Sequence, residues 1–174
     1  MPSILFVCTH NRFRSVLAEH MLRQLIGSND GSAGWQVSSA GTWADEGRWV
    51  TPEALQAGLE RGLKLDGHLS RGVTEEILRS SDLVVTMESG HKEALLQEFS
   101  WLGGKVGVLS EVCGQPIYDI PDPYFTGELP EAIADEIETL LKENYQAILI
   151  LAKSNKPVSN TTVTSEFRVK FGEN

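Results

Sequence analysis

Cysteine is scarce in this chain: two in 174 residues, Cys8 and Cys113. They are far apart and have no histidine or cysteine cluster beside them, which excludes a disulfide framework and a cysteine-based zinc site. Positive charge is also short. Fifteen Lys and Arg stand against 24 Asp and Glu, a formal net charge of -9, which excludes a general nucleic-acid surface. No apolar run approaches the roughly 20 residues of a membrane span, and no signal peptide opens the sequence. Repeats and low-complexity tracts are missing as well. The expectation is a cytoplasmic protein with neither nucleic acid nor membrane as partner. What remains is ordinary globular composition, 41% hydrophobic and 22% charged, at a length that can bury a full core in one domain.

Strand and helix patterns alternate along that length. Residues 3–8 read as a buried strand, 15–26 as an amphipathic helix ended by Gly27, and 35–39 as a second strand broken by Gly41. Thr51 caps a helix with Pro52 at its first position and Glu53 in its first turn; Gly62 ends it. A shorter helix spans 73–80, a strand 82–87, a helix about 89–99 and a strand 105–109. A long helix from about 130 to 152 turns Ile133, Ile137, Leu140, Leu141, Ile148 and Leu151 to one face. Strands separated by helices predict an α/β fold, a parallel sheet covered on both faces. The domain is expected over 1–154. The tail, 155–174, reads as flexible after its Ser/Asn/Pro/Thr-rich start, or as an added strand. Val163, Ser165, Phe167, Val169 and Phe171 alternate there with Thr164, Glu166, Arg168 and Lys170, and such a strand could pair with a sheet edge of this chain or of a partner.

Two segments carry chemistry. In Cys8-Thr9-His10-Asn11-Arg12-Phe13-Arg14-Ser15, a cysteine sits where the first strand meets the first helix. Unpaired N–H groups and the positive end of the helix dipole gather there, a setting that binds an oxyanion and favours a thiolate. Arg14 adds a planar donor fork suited to phosphate. The plainer alternative is a cysteine used as a small core residue. In Asp119-Ile120-Pro121-Asp122-Pro123-Tyr124-Phe125, two prolines are expected to hold the segment extended and to mount the Asp122 carboxylate rigidly, with Tyr124 and Phe125 as an aromatic wall. Asp-Pro is equally a surface-turn dipeptide.

Taken together these segments give the chain its resemblance to the low-molecular-weight protein tyrosine phosphatases, a family related to the arsenate reductases of the same fold. The resemblance runs from Ile4 to about Ala152. It rests on Cys8-x5-Arg14-Ser15, Ser39-Ala40-Gly41-Thr42, His68-x-x-Arg71, Asp82 to Met87, and Asp122-Pro123-Tyr124 in that order. It implies a three-layer sandwich around a four-stranded parallel sheet of order 2-1-3-4. It also implies a mechanism. Cys8 attacks phosphorus to form a cysteinyl phosphate. The N–H groups of Thr9 to Arg14 and the Arg14 guanidinium hold the equatorial oxygens. Asp122 protonates the leaving group, then activates water. Ser15 hydrogen-bonds the thiolate, and Asn11 braces the loop through bonds reaching Ser39 and His68. Without the resemblance, His68 reads as an exposed loop histidine. Trp43, with Trp49 near it, would line another wall, although packing serves Trp49 equally well. No metal or organic cofactor is required. The implied substrate is a phosphotyrosine-containing protein or a small aryl phosphate, handled by a monomer or weak homodimer.

Several residues depart from the family pattern. His10 stands where glycine is common, and its β-carbon is unfavourable if φ is positive there. Phe13 replaces a second cysteine that could shelter the nucleophile as a disulfide. Val16 replaces a proline. Arg12 takes a position at the pocket mouth that is usually apolar. There it could stack on an aromatic ring or attract acidic residues, and it would disfavour a cationic phosphoarginine substrate. Two other functions stay open: thiol-coupled arsenate reduction, towards which His10 leans, and a phosphate-binding signalling module without catalysis.

Overall fold

Four short apolar segments pair into one parallel sheet in the computed structural model, which describes residues 1–28 and 34–155. The strands are β1 (Ser3–Cys8), β2 (Gln36–Gly41), β3 (Leu83–Thr86) and β4 (Val106–Val108), in the order β2-β1-β3-β4. Central β1 is buried from end to end, as a strand covered on both faces requires. Its register places Cys8 opposite Gly41 and Val7 opposite Thr86, so the carboxyl ends of three strands finish together.

The helices are α1 (Arg14–Gly27), α2 (Pro52–Glu60), α3 (Glu75–Ser80), α4 (Ser89–Glu98), α5 (Leu109–Val112), α6 (Pro123–Thr126) and α7 (Pro130–Ser154). Alternation along β1 separates two cores. Ile4, Phe6 and Cys8 face residues of α1, α2, α5 and α7, including Leu17, Ala54, Leu109 and Ile137. Leu5 and Val7 meet Leu78 of α3, Leu95 of α4 and Leu102 of the 3-10 turn that follows it. The result is the expected three-layer sandwich. Arg61 ties α2 to α7 by pairing with Glu131 at 2.6 Å, Glu138 at 2.8 Å and Asp135.

Local chemistry moves some boundaries. Gly41 does not break β2 but completes it; a β-carbon there would meet the Thr9 carbonyl oxygen at 2.5 Å, so only glycine lets the two strand ends close together. Thr74 takes the N–H of Ile77 on its side chain and starts α3 two residues later than the pattern suggests. Leu109 opens α5 rather than ending β4. Residues 156–174, with the alternating tail, lie outside the described residues. No described helix is long and apolar enough to cross a membrane.

Candidate active site

The β1–α1 loop wraps around the Cys8 sulfur. The Asn11 N–H lies 3.3 Å from Sγ and the Ser15 hydroxyl 3.0 Å from it. Ser15 Oγ accepts from Asn11 Nδ2 at 3.0 Å, which leaves its own proton free to point at sulfur. Asn11 is the one described non-glycine residue with positive φ, at 56°, a conformation asparagine tolerates better than most residues. The strain expected at His10 therefore sits one position later. His10 is exposed, with Nδ1 3.0 Å from the Trp43 carbonyl oxygen.

Asn11 holds this geometry with every polar atom it has. Nδ2 donates also to Ser39 Oγ at 2.8 Å, Oδ1 accepts the Arg71 N–H at 3.0 Å, and its carbonyl accepts His68 Nε2 at 3.1 Å. Ser39 in turn donates to Glu19. The implied brace to Ser39 and His68 is present, and His68 is half-buried rather than an exposed loop residue. Burial holds its pKa below the ordinary value, against the opposing pull of Glu19.

Arg14 is 1% exposed and forked between two acids. Nη2 donates to Asp122 Oδ2 at 2.7 Å and lies 3.4 Å from Thr9 Oγ1; Nη1 donates to the Ile120 carbonyl at 2.8 Å and pairs with Glu88. Asp122 keeps the expected extended backbone, φ -82° and ψ 114°, but the extended segment ends there. Pro123 begins the helical turn α6, and Asp122 caps it by accepting the Tyr124 N–H on Oδ1 at 3.1 Å. An Asp-Pro pair suits this, because an N-cap residue has extended backbone and proline fits the first helical position. The carboxylate is thus fixed by the cap on one oxygen and by Arg14 on the other.

A cavity of about 420 Å³ opens over Cys8, bounded by Arg14 and Asp122 and walled by Phe13, Arg12, Tyr124 and Phe125. Phe13 is buried in the core below it. The Tyr124 hydroxyl donates to Glu53 Oε2 at 2.6 Å, joining two rims and holding the Glu53 carboxyl below its usual range. Arg12 is tethered: Nε donates to the Trp49 carbonyl at 2.7 Å. Trp43, expected as a wall, is 80% exposed and lies outside the cavity lining; Trp49 is exposed as well, so packing is not its role either. Cys113 lies in the core with Sγ 3.7 Å from the Leu140 carbonyl, its thiol pushed up to about 12 by burial, and both cysteines are free.

Glu88, His91 and Glu19 escaped the sequence reading. His91 Nε2 is 2.9 Å from Thr9 Oγ1, while Nδ1 is buried without a partner among the described residues. Glu88 and His91 follow β3, whose end abuts the Cys8 loop, and that placement was the available signal.

Known proteins resemble this chain in sequence and in fold. The protein-arginine-phosphatase of Bacillus subtilis (strain 168) is 34% identical over 141 residues, 80% of this chain and 92% of the relative. The low molecular weight protein-tyrosine-phosphatase Wzb of Escherichia coli (strain K12) is 34% identical over 122 residues, 70% of this chain and 78% of Wzb. A solved structure of YwlE arginine phosphatase, a cysteine-to-serine mutant with a phosphorylated active-site serine, superposes with a TM-score of 0.75 at 32% identity, covering 90% of this chain and 97% of that one. The model of the low molecular weight phosphotyrosine protein phosphatases matches residues 3–154, and the chain belongs to that family of cysteine-dependent phosphatases.

Proposed function

We propose that the chain hydrolyses phosphotyrosine in proteins, or a small aryl phosphate, through a cysteinyl-phosphate intermediate. The observation that carries this reading is the convergence of the Cys8 sulfur, the buried Arg14 guanidinium and the Asp122 carboxylate on one cavity. The Cys8 thiolate attacks phosphorus in line, and the phenolate oxygen leaves as the S–P bond forms. Arg14 and the loop N–H groups hold the equatorial oxygens through the charge redistribution. The phosphoryl group takes over the Arg14 Nη2 donor that Asp122 now occupies. Asp122, protonated, gives its proton to the leaving oxygen and then accepts one from the water that cleaves the S–P bond. The Ser15 hydroxyl stabilises sulfur as it departs. The mutant relative with a phosphorylated active-site serine supports phosphoryl transfer to this position.

Arg12 at the rim favours phosphotyrosine with acidic flanks over a cationic substrate. Phosphoarginine is the second reading, favoured by the Bacillus relative and by the Glu53 carboxylate in the cavity wall. The deciding experiment compares kcat/KM for peptides carrying phosphotyrosine or phosphoarginine, with wild type beside Cys8→Ser. Cys8→Ser is expected to lose on the order of 10⁴-fold or more in turnover while still binding phosphate. Substantial residual turnover removes Cys8 as nucleophile, and a preference for phosphoarginine reverses the substrate assignment.

A further inference from the structure

A second cavity, about 530 Å³, shares no lining residue with the first. Glu19 and His20 reach it from α1, and His68 from the loop after α2. We propose that Glu19, His20 and His68 form a binding site for one borderline divalent cation of the Zn²⁺ class.

One donor atom from each of the three residues lies within 4.8 Å of the others. A cation with bonds of about 2.0–2.2 Å needs donors about 3.3–3.6 Å apart in a tetrahedron. Half-buried His20 can supply that contraction, since its side chain makes no hydrogen bond among the described residues and its ring lies edge to face with that of His68, centroids 6.3 Å apart. Two imidazoles and a carboxylate suit Zn²⁺, Co²⁺ or Ni²⁺ rather than Mg²⁺ or Ca²⁺. Outer bonds of the kind that orient metal ligands are already in place: His68 donates to the Asn11 carbonyl, and Glu19 accepts from Ser39.

The opposing consideration is positive charge. Arg23 Nη2 sits 2.7 Å from Glu19 Oε1, and Arg71 and Lys64 also line the cavity. The Arg23 side chain is half exposed and donates as well to the Val37 carbonyl, with Nε at 3.0 Å. It can therefore leave Glu19 while staying anchored, and the ion then replaces one cation by another on the same carboxylate. Arg71 is held by Nε on the Ser39 carbonyl at 2.9 Å. The site would also bear on the active-site loop, because His68 and Ser39 are both direct partners of Asn11.

The test uses the full chain with Cys8→Ser, which removes the competing thiolate. Co²⁺ is titrated while its visible d–d bands are recorded, and Tm is followed with Zn²⁺ and with Mg²⁺. One equivalent of Co²⁺ should bind, and Zn²⁺ but not Mg²⁺ should raise Tm. Adding His20→Ala should weaken Co²⁺ binding by about ten-fold or more and abolish the Zn²⁺ shift. His20→Ala alone should keep its turnover of para-nitrophenyl phosphate, which shows that the variant folds. No Co²⁺ binding by Cys8→Ser, or equal binding with and without His20, overturns the site.

Discussion

Asn11 stands between two unlike cavities. On the Cys8 side the polar groups are few, and their remaining hydrogen-bonding capacity points into open space: a sulfur with two partners, a guanidinium shared between Asp122 and Glu88, an exposed rim. On the other side Ser39, Glu19, His68 and Arg71 satisfy one another and Asn11. Asn11 makes all of its own bonds, which fixes the loop geometry, whereas the groups in front keep capacity for an anion and the spare capacity behind lies one step away, at the His20 imidazole. The contrast shows how a short loop keeps a thiol and its N–H groups aimed at an anion: rigidity is supplied from behind, and reactivity is left in front.

The largest way to break this division, after Cys8→Ser itself, is Asp122→Asn. It should lower kcat by about 10²-fold or more for alkyl and poor phenolic leaving groups and much less for para-nitrophenol. A Brønsted series measures this, and equal losses across it would move the general acid elsewhere. Next comes Asn11→Ala, which removes three side-chain hydrogen bonds and a side chain suited to φ of 56°. Unfolding in urea should show a loss of about 2–4 kcal/mol, and activity should fall with it. If activity collapses while stability is kept, the rear network positions the loop without holding up the fold.

A finer test concerns His91. Burial lowers its pKa from 6.5 and outweighs the pull of Glu88; Arg14 lowers it further, while Asp119 and Asp122 raise it. Between the folded and unfolded pKa values the unfolded chain binds more protons, so stability rises with pH through that window and falls as pH drops below 6.5. Urea unfolding from about pH 8 to about pH 5 should show this decline, and His91→Asn should flatten it; an unchanged slope would remove His91 as a contributor. The smallest effect is expected from Arg12→Ala, a loss of about two- to five-fold in kcat/KM for acidic phosphopeptides. A panel of acidic and neutral peptides checks it, and uniform values would show that the Trp49 tether is all Arg12 provides.

The alternation of short apolar runs with helical patterns was enough to read the sheet and its two helical layers, because burial on both faces leaves a direct mark in composition. Thr51-Pro52 marked a helix start for the same reason: its chemistry is local. Asp122 shows the limit. Its flanking prolines read as a rigid extended mount, yet Pro123 starts a helical turn, since proline fits both conformations and only the neighbouring cap and Arg14 choose between them. Trp43 and Trp49 show it again, because aromatic character does not say which way a loop side chain faces.

The sequence by itself determined the α/β architecture and the Cys8–Arg14–Ser15 loop, both encoded in contiguous residues with fixed spacing. Only the tertiary structure decided that Asn11 carries the strained backbone, that Glu88 shares Arg14 with Asp122, and that Glu19, His20 and His68 converge. Those contacts join residues up to 108 positions apart, as Arg14 and Asp122 are. No local pattern records such a meeting, because side chains that distant are brought together by strand register and helix packing.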